Sequence, residues 1–103
     1  MSVIVTAHFE AHEGHEQNLI DALRESIPAV HAEPGCLMFA LHRAENRSVV
    51  LLEKWESEEL LQTHLDGDPV AALVDRIEPH IAKSPEVVRL TAVPAGTGHQ
   101  GIL

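Results

Sequence analysis

The stretch LLEKWESEELLQTHL, residues 51 to 65, carries three side chains that together could run acid–base chemistry: Glu53, Trp55 and His64. An imidazole exchanges its proton near neutral pH, and a carboxylate beside it can fix its tautomer and orientation. On a strand, Glu53 and Trp55 fall on one face together with Val49 and Leu51. If that face meets the helices, the carboxylate lies beneath the helix that carries His64, and burial obliges it to find a partner. His64 would then act as a base toward a substrate hydroxyl, with Glu53 orienting it. The same carboxylate could equally pair with an arginine or a backbone donor and simply lock sheet to helix. Trp55, a stiff aromatic with one N–H, suits either the wall of an apolar pocket for a planar ligand or plain packing.

A second histidine, His8, stands on the first strand on the face with Ile4 and Thr6, as a candidate base or a hydrogen-bonded core residue. His12 and His15 share a loop with Glu10, Glu13 and Glu16. With His8 their spacing matches no standard zinc pattern, so a solvated charged loop is expected there and no metal is assigned. Cys36 follows EPG in an acidic stretch, which favours a small apolar role over nucleophilic chemistry. Phe39 is placed in the core or on a cavity wall. The tail sequence GTGHQG has no strand before it and no helix after it, so a nucleotide fingerprint is absent and no cofactor is assigned.

Positioning these groups falls to elements that the pattern defines. SVIVTAHF, residues 2 to 9, is rich in β-branched residues and reads as a strand. Leu19, Ile20, Leu23, Ile27 and Val30 recur at helical spacing from His15 to Ala32, with Pro28 predicting a kink or a loosened last turn. CLMFALHR (36–43) and VVLLEKWE (49–56) read as strands joined by AENRS. Ser57 caps a helix over EELLQTHL, whose first turn is acidic. DGDP interrupts, a helix from Pro69 to about Ala82 follows with Pro79 disturbing its end, and EVVRLTAV (86–93) closes the set.

The order β-α-β-β-α-β predicts an α+β, ferredoxin-like fold with a four-stranded antiparallel sheet over residues 1–93. Residues 94–103 form a glycine-rich tail, flexible unless a partner holds it. Helices cover one sheet face. Yet strand 3 is apolar on both sides, and strand 2 sets Cys36, Met38 and Ala40 against Leu37, Phe39 and Leu41, where a half-solvated sheet would alternate with polar residues. A second copy packed face to face, a two-fold homodimer, is the expected cover.

Composition narrows the partners. The chain has 103 residues, 45% of them hydrophobic, and a formal charge of −9. That charge argues against nucleic acid and anionic membrane surfaces. The longest apolar run, VVLL, is far short of a membrane span, and no signal peptide is visible. A single cysteine excludes an internal disulfide and agrees with a cytoplasmic location.

EPGCL after the first helix, EKWES ending strand 3, and ELLQTHL on the next helix resemble the antibiotic biosynthesis monooxygenase domain, from about residue 3 to residue 92. The resemblance implies a dimeric α+β barrel with a small-molecule cavity in each subunit. Many such domains oxygenate activated aromatic compounds with O₂ and neither metal nor flavin. Haem-degrading relatives carry a histidine where this chain has Val74, ten residues beyond His64, and an asparagine near Thr6 or Ala7. Tyrosine is absent throughout, and Phe39 takes the place of a cavity tyrosine, so no phenol donor can operate. The resemblance therefore implies a cofactor-independent monooxygenase acting on a hydroquinone-like or polyphenolic substrate. His64 or His8 would be the base, with Trp55 and Phe39 shielding the reacting groups. Asn18 and Arg43 are possible polar contacts. Two rivals stand beside this reading. One is an acid–base isomerase of a small hydroxyketone, which for a phosphorylated substrate would need Lys54 or Arg43 turned inward. The other is a dimeric binding or stress protein without catalysis.

Overall fold

Alternating burial along one strand organises the molecule. In the computed structural model, which describes residues 2–103, strand β3 (Val49–Trp55) buries Val49, Leu51, Glu53 and Trp55 and leaves the residues between them half-buried. Strand β1 (Val3–Phe9) lies antiparallel beside it, with Val5 opposite Glu53 and Ala7 opposite Leu51. Strand β2 (Cys36–Arg43) flanks β3, strand β4 (Glu86–Leu90) flanks β1, and the sheet order is β2-β3-β1-β4. This is the antiparallel ferredoxin-like α+β sheet that the element order predicts.

Helix α1 (Glu16–His31) buries Leu19, Ile20, Leu23 and Val30 against the sheet. It runs past Pro28 to His31, and its exit tightens through a bond from Glu33 N–H to the Val30 carbonyl at 3.0 Å. Helix α2 (Glu58–Leu65) begins where expected, because the Ser57 hydroxyl accepts from the Leu60 N–H at 3.2 Å. Helix α3 (Asp68–Ile77) stops five residues short of the expected end at Ala82. Glu78 keeps helical dihedrals, but Pro79 offers no N–H to continue the α-helical ladder, and the chain tightens into a 3₁₀ turn over Glu78–His80. That turn is tied to the loop after β1 by His12 N–H to the His80 carbonyl (2.9 Å) and Ala82 N–H to the Glu10 carbonyl (2.8 Å). The tail forms a 3₁₀ turn over Gly98–Gly101.

One expectation about facing is corrected. Cys36 pairs with Trp55 while Met38 pairs with Lys54, so a bulge at Leu37 breaks the alternation. Cys36 therefore shares the helix-side face with Phe39 and packs against the core, and Leu37 is left exposed. The opposite sheet face presents Ile4, Met38, Ala40, Val50, Leu52, Val88 and Leu90.

Candidate active site

Strand parity puts the Glu53 carboxyl under the helical layer, and the same parity carries Phe39 beside it, since Phe39 pairs with Glu53 across β2 and β3. His64 descends from the last turn of α2 onto this pair. Glu53 is 6% exposed and His64 3%. Both line a cavity of about 130 Å³ between sheet and helices, with Val5, Phe39, Leu61 and Leu73 among its walls.

The hydrogen bonds are distributed differently from the sequence expectation. Glu53 Oε1 accepts from Trp55 Nε1–H at 3.0 Å. The His64 Nδ1 partner is Glu33 Oε2, at 2.8 Å. Glu33 therefore takes the place beside His64 Nδ1 that was expected of Glu53. The sequence reading used EPG as part of the family resemblance and gave Glu33 no place at the site; the available signal was that an acidic side chain on this turn sits at the start of a strand bordering Glu53.

Trp55 is fully buried and does not line the cavity. Its indole lies behind the site, stacked on His64 with centroids 4.4 Å apart and planes 31° apart. Phe39 does line the cavity and meets His64 edge-on at 5.8 Å. His8 is not brought to this group. It is exposed on the opposite sheet face and borders an open surface depression with Glu10, His12, Glu13 and Glu86. In that region His15 and His80 approach through their Nδ1 atoms at 3.1 Å. Among the described residues no group of three or more His, Cys, Asp or Glu side chains is placed to hold a metal ion.

Burial pushes the Glu53 carboxyl above its ordinary value; the Trp55 N–H and the His64 imidazole draw it partly back, and the Glu33 carboxylate adds to the rise. Burial also raises the Cys36 thiol, and the nearby carboxylates of Glu33 and Glu53 raise it further against a smaller pull from a Met38 backbone bond, so the thiolate is disfavoured. The site thus combines a histidine, a buried carboxyl and an apolar pocket.

The basic residues considered as phosphate anchors lie elsewhere. Lys54 is on the opposite sheet face, across from Ile4 and Met38. Arg43 ends β2 and pairs with Glu16 at 2.8 Å. Arg89 of β4 borders the cavity, its guanidinium 2.7 Å from Glu58.

The sequence profile described as antibiotic biosynthesis monooxygenase matches residues 2–76. The chain belongs to that family. Solved structures agree in fold. The Mycobacterium tuberculosis protein Rv0793 superposes with a TM-score of 0.83 at 20% identity, covering 94% of this chain and 100% of its own. A structure described as an antibiotic biosynthesis monooxygenase gives 0.80 at 24% identity, over 89% of this chain and 99% of its own. NE2512 of Nitrosomonas europaea, described as of unknown function, gives 0.78 at 23%, over 92% and 96%. No curated protein matches the chain. Among the described residues, no helix is long and apolar enough to cross a membrane.

Proposed function

We propose that this family member is a cofactor-independent monooxygenase that oxidises a hydroquinone-like small molecule with O₂. The observation that carries the reading is His64. One ring nitrogen is held by a carboxylate, and the ring borders an apolar cavity beside Phe39 and Glu53. A cavity of about 150 Å³ encloses benzene, so about 130 Å³ is of the size of one aromatic ring, with part of a hydroquinone left at the open mouth. A larger polyphenol would project from the mouth.

In this mechanism His64 removes a phenolic proton through Nε2, and the electron-rich phenolate reacts with O₂. For a hydroquinone, one oxygen atom enters the ring, the other leaves as water, and the product is a hydroxyquinone. The substrate supplies all four electrons that O₂ accepts. Glu53, its carboxyl biased toward the protonated form, is placed to donate a hydrogen bond to a substrate oxygen. Trp55 acts from behind, backing His64 and holding Glu53, rather than touching substrate.

The assembly that goes with this reading is a homodimer closed through the apolar sheet face of Ile4, Met38, Val50 and Leu52, and the compartment is the cytoplasm. O₂ uptake by purified, metal-stripped protein with a panel of hydroquinones and polyphenols tests the function. Uptake above the spontaneous rate is expected, reduced roughly 10²- to 10⁴-fold in His64→Ala and substantially in Glu53→Ala. Isomerisation of a hydroxyketone without O₂ uptake would replace this reading with acid–base catalysis by the same residues.

A further inference from the structure

Glu33 sits in the EPG turn between α1 and β2, 31 residues from His64, yet its Oε2 lies 2.8 Å from His64 Nδ1 with the two side chains 13% and 3% exposed. A carboxylate only accepts, so the nitrogen facing it carries the proton in both the neutral and the charged ring. His64 Nε2 makes no protein hydrogen bond, and among the described residues no sealed polar side-chain atom lacks a partner, so Nε2 opens to the cavity.

The turn is built to deliver that carboxylate. Gly35 adopts φ +82°, a left-handed conformation that favours glycine. A methyl group there would lie 2.8 Å from Leu60 Cβ, and closer still to the end of the Leu60 side chain. Leu60 can therefore seat on the turn only because residue 35 has no side chain. The Glu56 N–H binds the Gly35 carbonyl at 2.9 Å and clamps the turn to the start of α2. Leu60 and His64 are four residues apart, on one face of α2. That single face thus meets both ends of the E-P-G triplet, Leu60 on Gly35 and His64 on Glu33.

We propose that Glu33 is a positioning residue for His64: docked by the Gly35–Leu60 contact, it keeps the proton on Nδ1 and the bare Nε2 toward the cavity. The proposal rests on the reading of His64 as the base. Glu53, Cys36 and, at the β4 border of the cavity, Arg89 are the other titratable or charged groups beside this assembly, and none bonds the ring nitrogens.

The test is ¹⁵N NMR of the histidine ring nitrogens across pH in the full chain, comparing wild type with Glu33→Ala. In wild type the neutral His64 should show a protonated Nδ1 and a bare Nε2; in Glu33→Ala the pattern should move to the Nε2–H tautomer or an average of the two. Should Glu33→Ala fail to fold, Glu33→Leu keeps the bulk without an acceptor. Uptake of O₂ by Glu33→Leu, which leaves no acceptor for Nδ1–H, should fall roughly 10- to 100-fold. A wild-type Nε2–H, or a tautomer unchanged without Glu33, overturns the proposal, as does full uptake by Glu33→Leu. Wild-type protein with no uptake would instead count against the oxygenase reading, and the NMR arm would decide the role of Glu33 alone.

Discussion

Trp55 and His64 stack at 4.4 Å, although one comes from the end of a strand and the other from the last turn of a helix. The same indole gives its N–H to Glu53 at 3.0 Å. One buried side chain therefore backs the candidate base and satisfies the candidate acid. This explains a lone tryptophan two residues after a glutamate: parity places both on one face, and the indole N–H serves the carboxyl beside it.

Replacing Trp55 by Phe keeps a ring behind His64 and removes the donor. Glu53 Oε1 is then buried without its partner, at a cost of about 1–3 kcal/mol in urea unfolding. Because the Trp55 N–H draws the Glu53 carboxyl down, its loss should raise that carboxyl further. A ¹³C titration of the Glu53 carboxyl checks this, and a downward move would contradict the assigned bond.

The raised Glu53 carboxyl also predicts how stability depends on pH. Below the ordinary carboxylate range Glu53 is protonated in both folded and unfolded chains and contributes no pH dependence. As pH climbs from that range through the higher folded value, the native state holds more protons than the unfolded state, so this residue lowers stability. Above the folded value the loss is complete and constant. Glu53→Gln cannot ionise, so its Tm relative to wild type should be higher at pH 8 than at pH 4. An equal difference at both pH values would refute a raised carboxyl.

Gly35→Ala introduces a methyl group against Leu60 and asks alanine to hold φ +82°. A loss of about 2–4 kcal/mol is expected. Leu60→Ala in the same chain removes the end of that side chain but keeps its Cβ, so it should recover part of the steric loss, and the two substitutions should be non-additive by about 1 kcal/mol in a double-mutant cycle. Simple additivity would mean that Leu60 does not limit residue 35.

The proposed dimer predicts that Leu52→Lys, on the sheet face away from the helices, halves the mass in sedimentation while circular dichroism stays unchanged. Leu52 lies opposite Thr6 and Ala40 at the middle of that face. In the proposed dimer a charge there would be buried in the apolar seam, at a cost of several kcal/mol. An unaltered dimer would place the interface elsewhere.

Much of this arrangement was written in local periodicity. Two-residue alternation assigned Glu53 and Trp55 to one face and grouped His8 with Ile4 and Thr6, and the 3.6-residue pattern gave α1 its buried stripe; that His8 faces away from Glu53 follows only from the β1–β3 register. The face of Cys36 was not legible, because the bulge at Leu37 has no residue-type signature. Glu33 was hidden for another reason: its partner is 31 residues away, and only the docking of α2 on the turn unites them. Trp55 was assigned to the cavity on size and chemistry, but its place behind His64 depends on the tilt of α2, which no local pattern encodes.

Arg89 and Glu58 join β4 to the start of α2 beside the cavity, 2.7 Å apart and 47% and 63% exposed. An exposed pair of this kind contributes about 0–1 kcal/mol. Thermal motion breaks it at the pace of surface side chains, about picoseconds to nanoseconds, whereas enzymes commonly turn over about 1–10³ times per second. Between β4 and α2, this link opens many times within one turnover of the proposed reaction. Passage to His64 along that side is therefore governed by diffusion and by the fit of the pocket, and the ion pair imposes no waiting time.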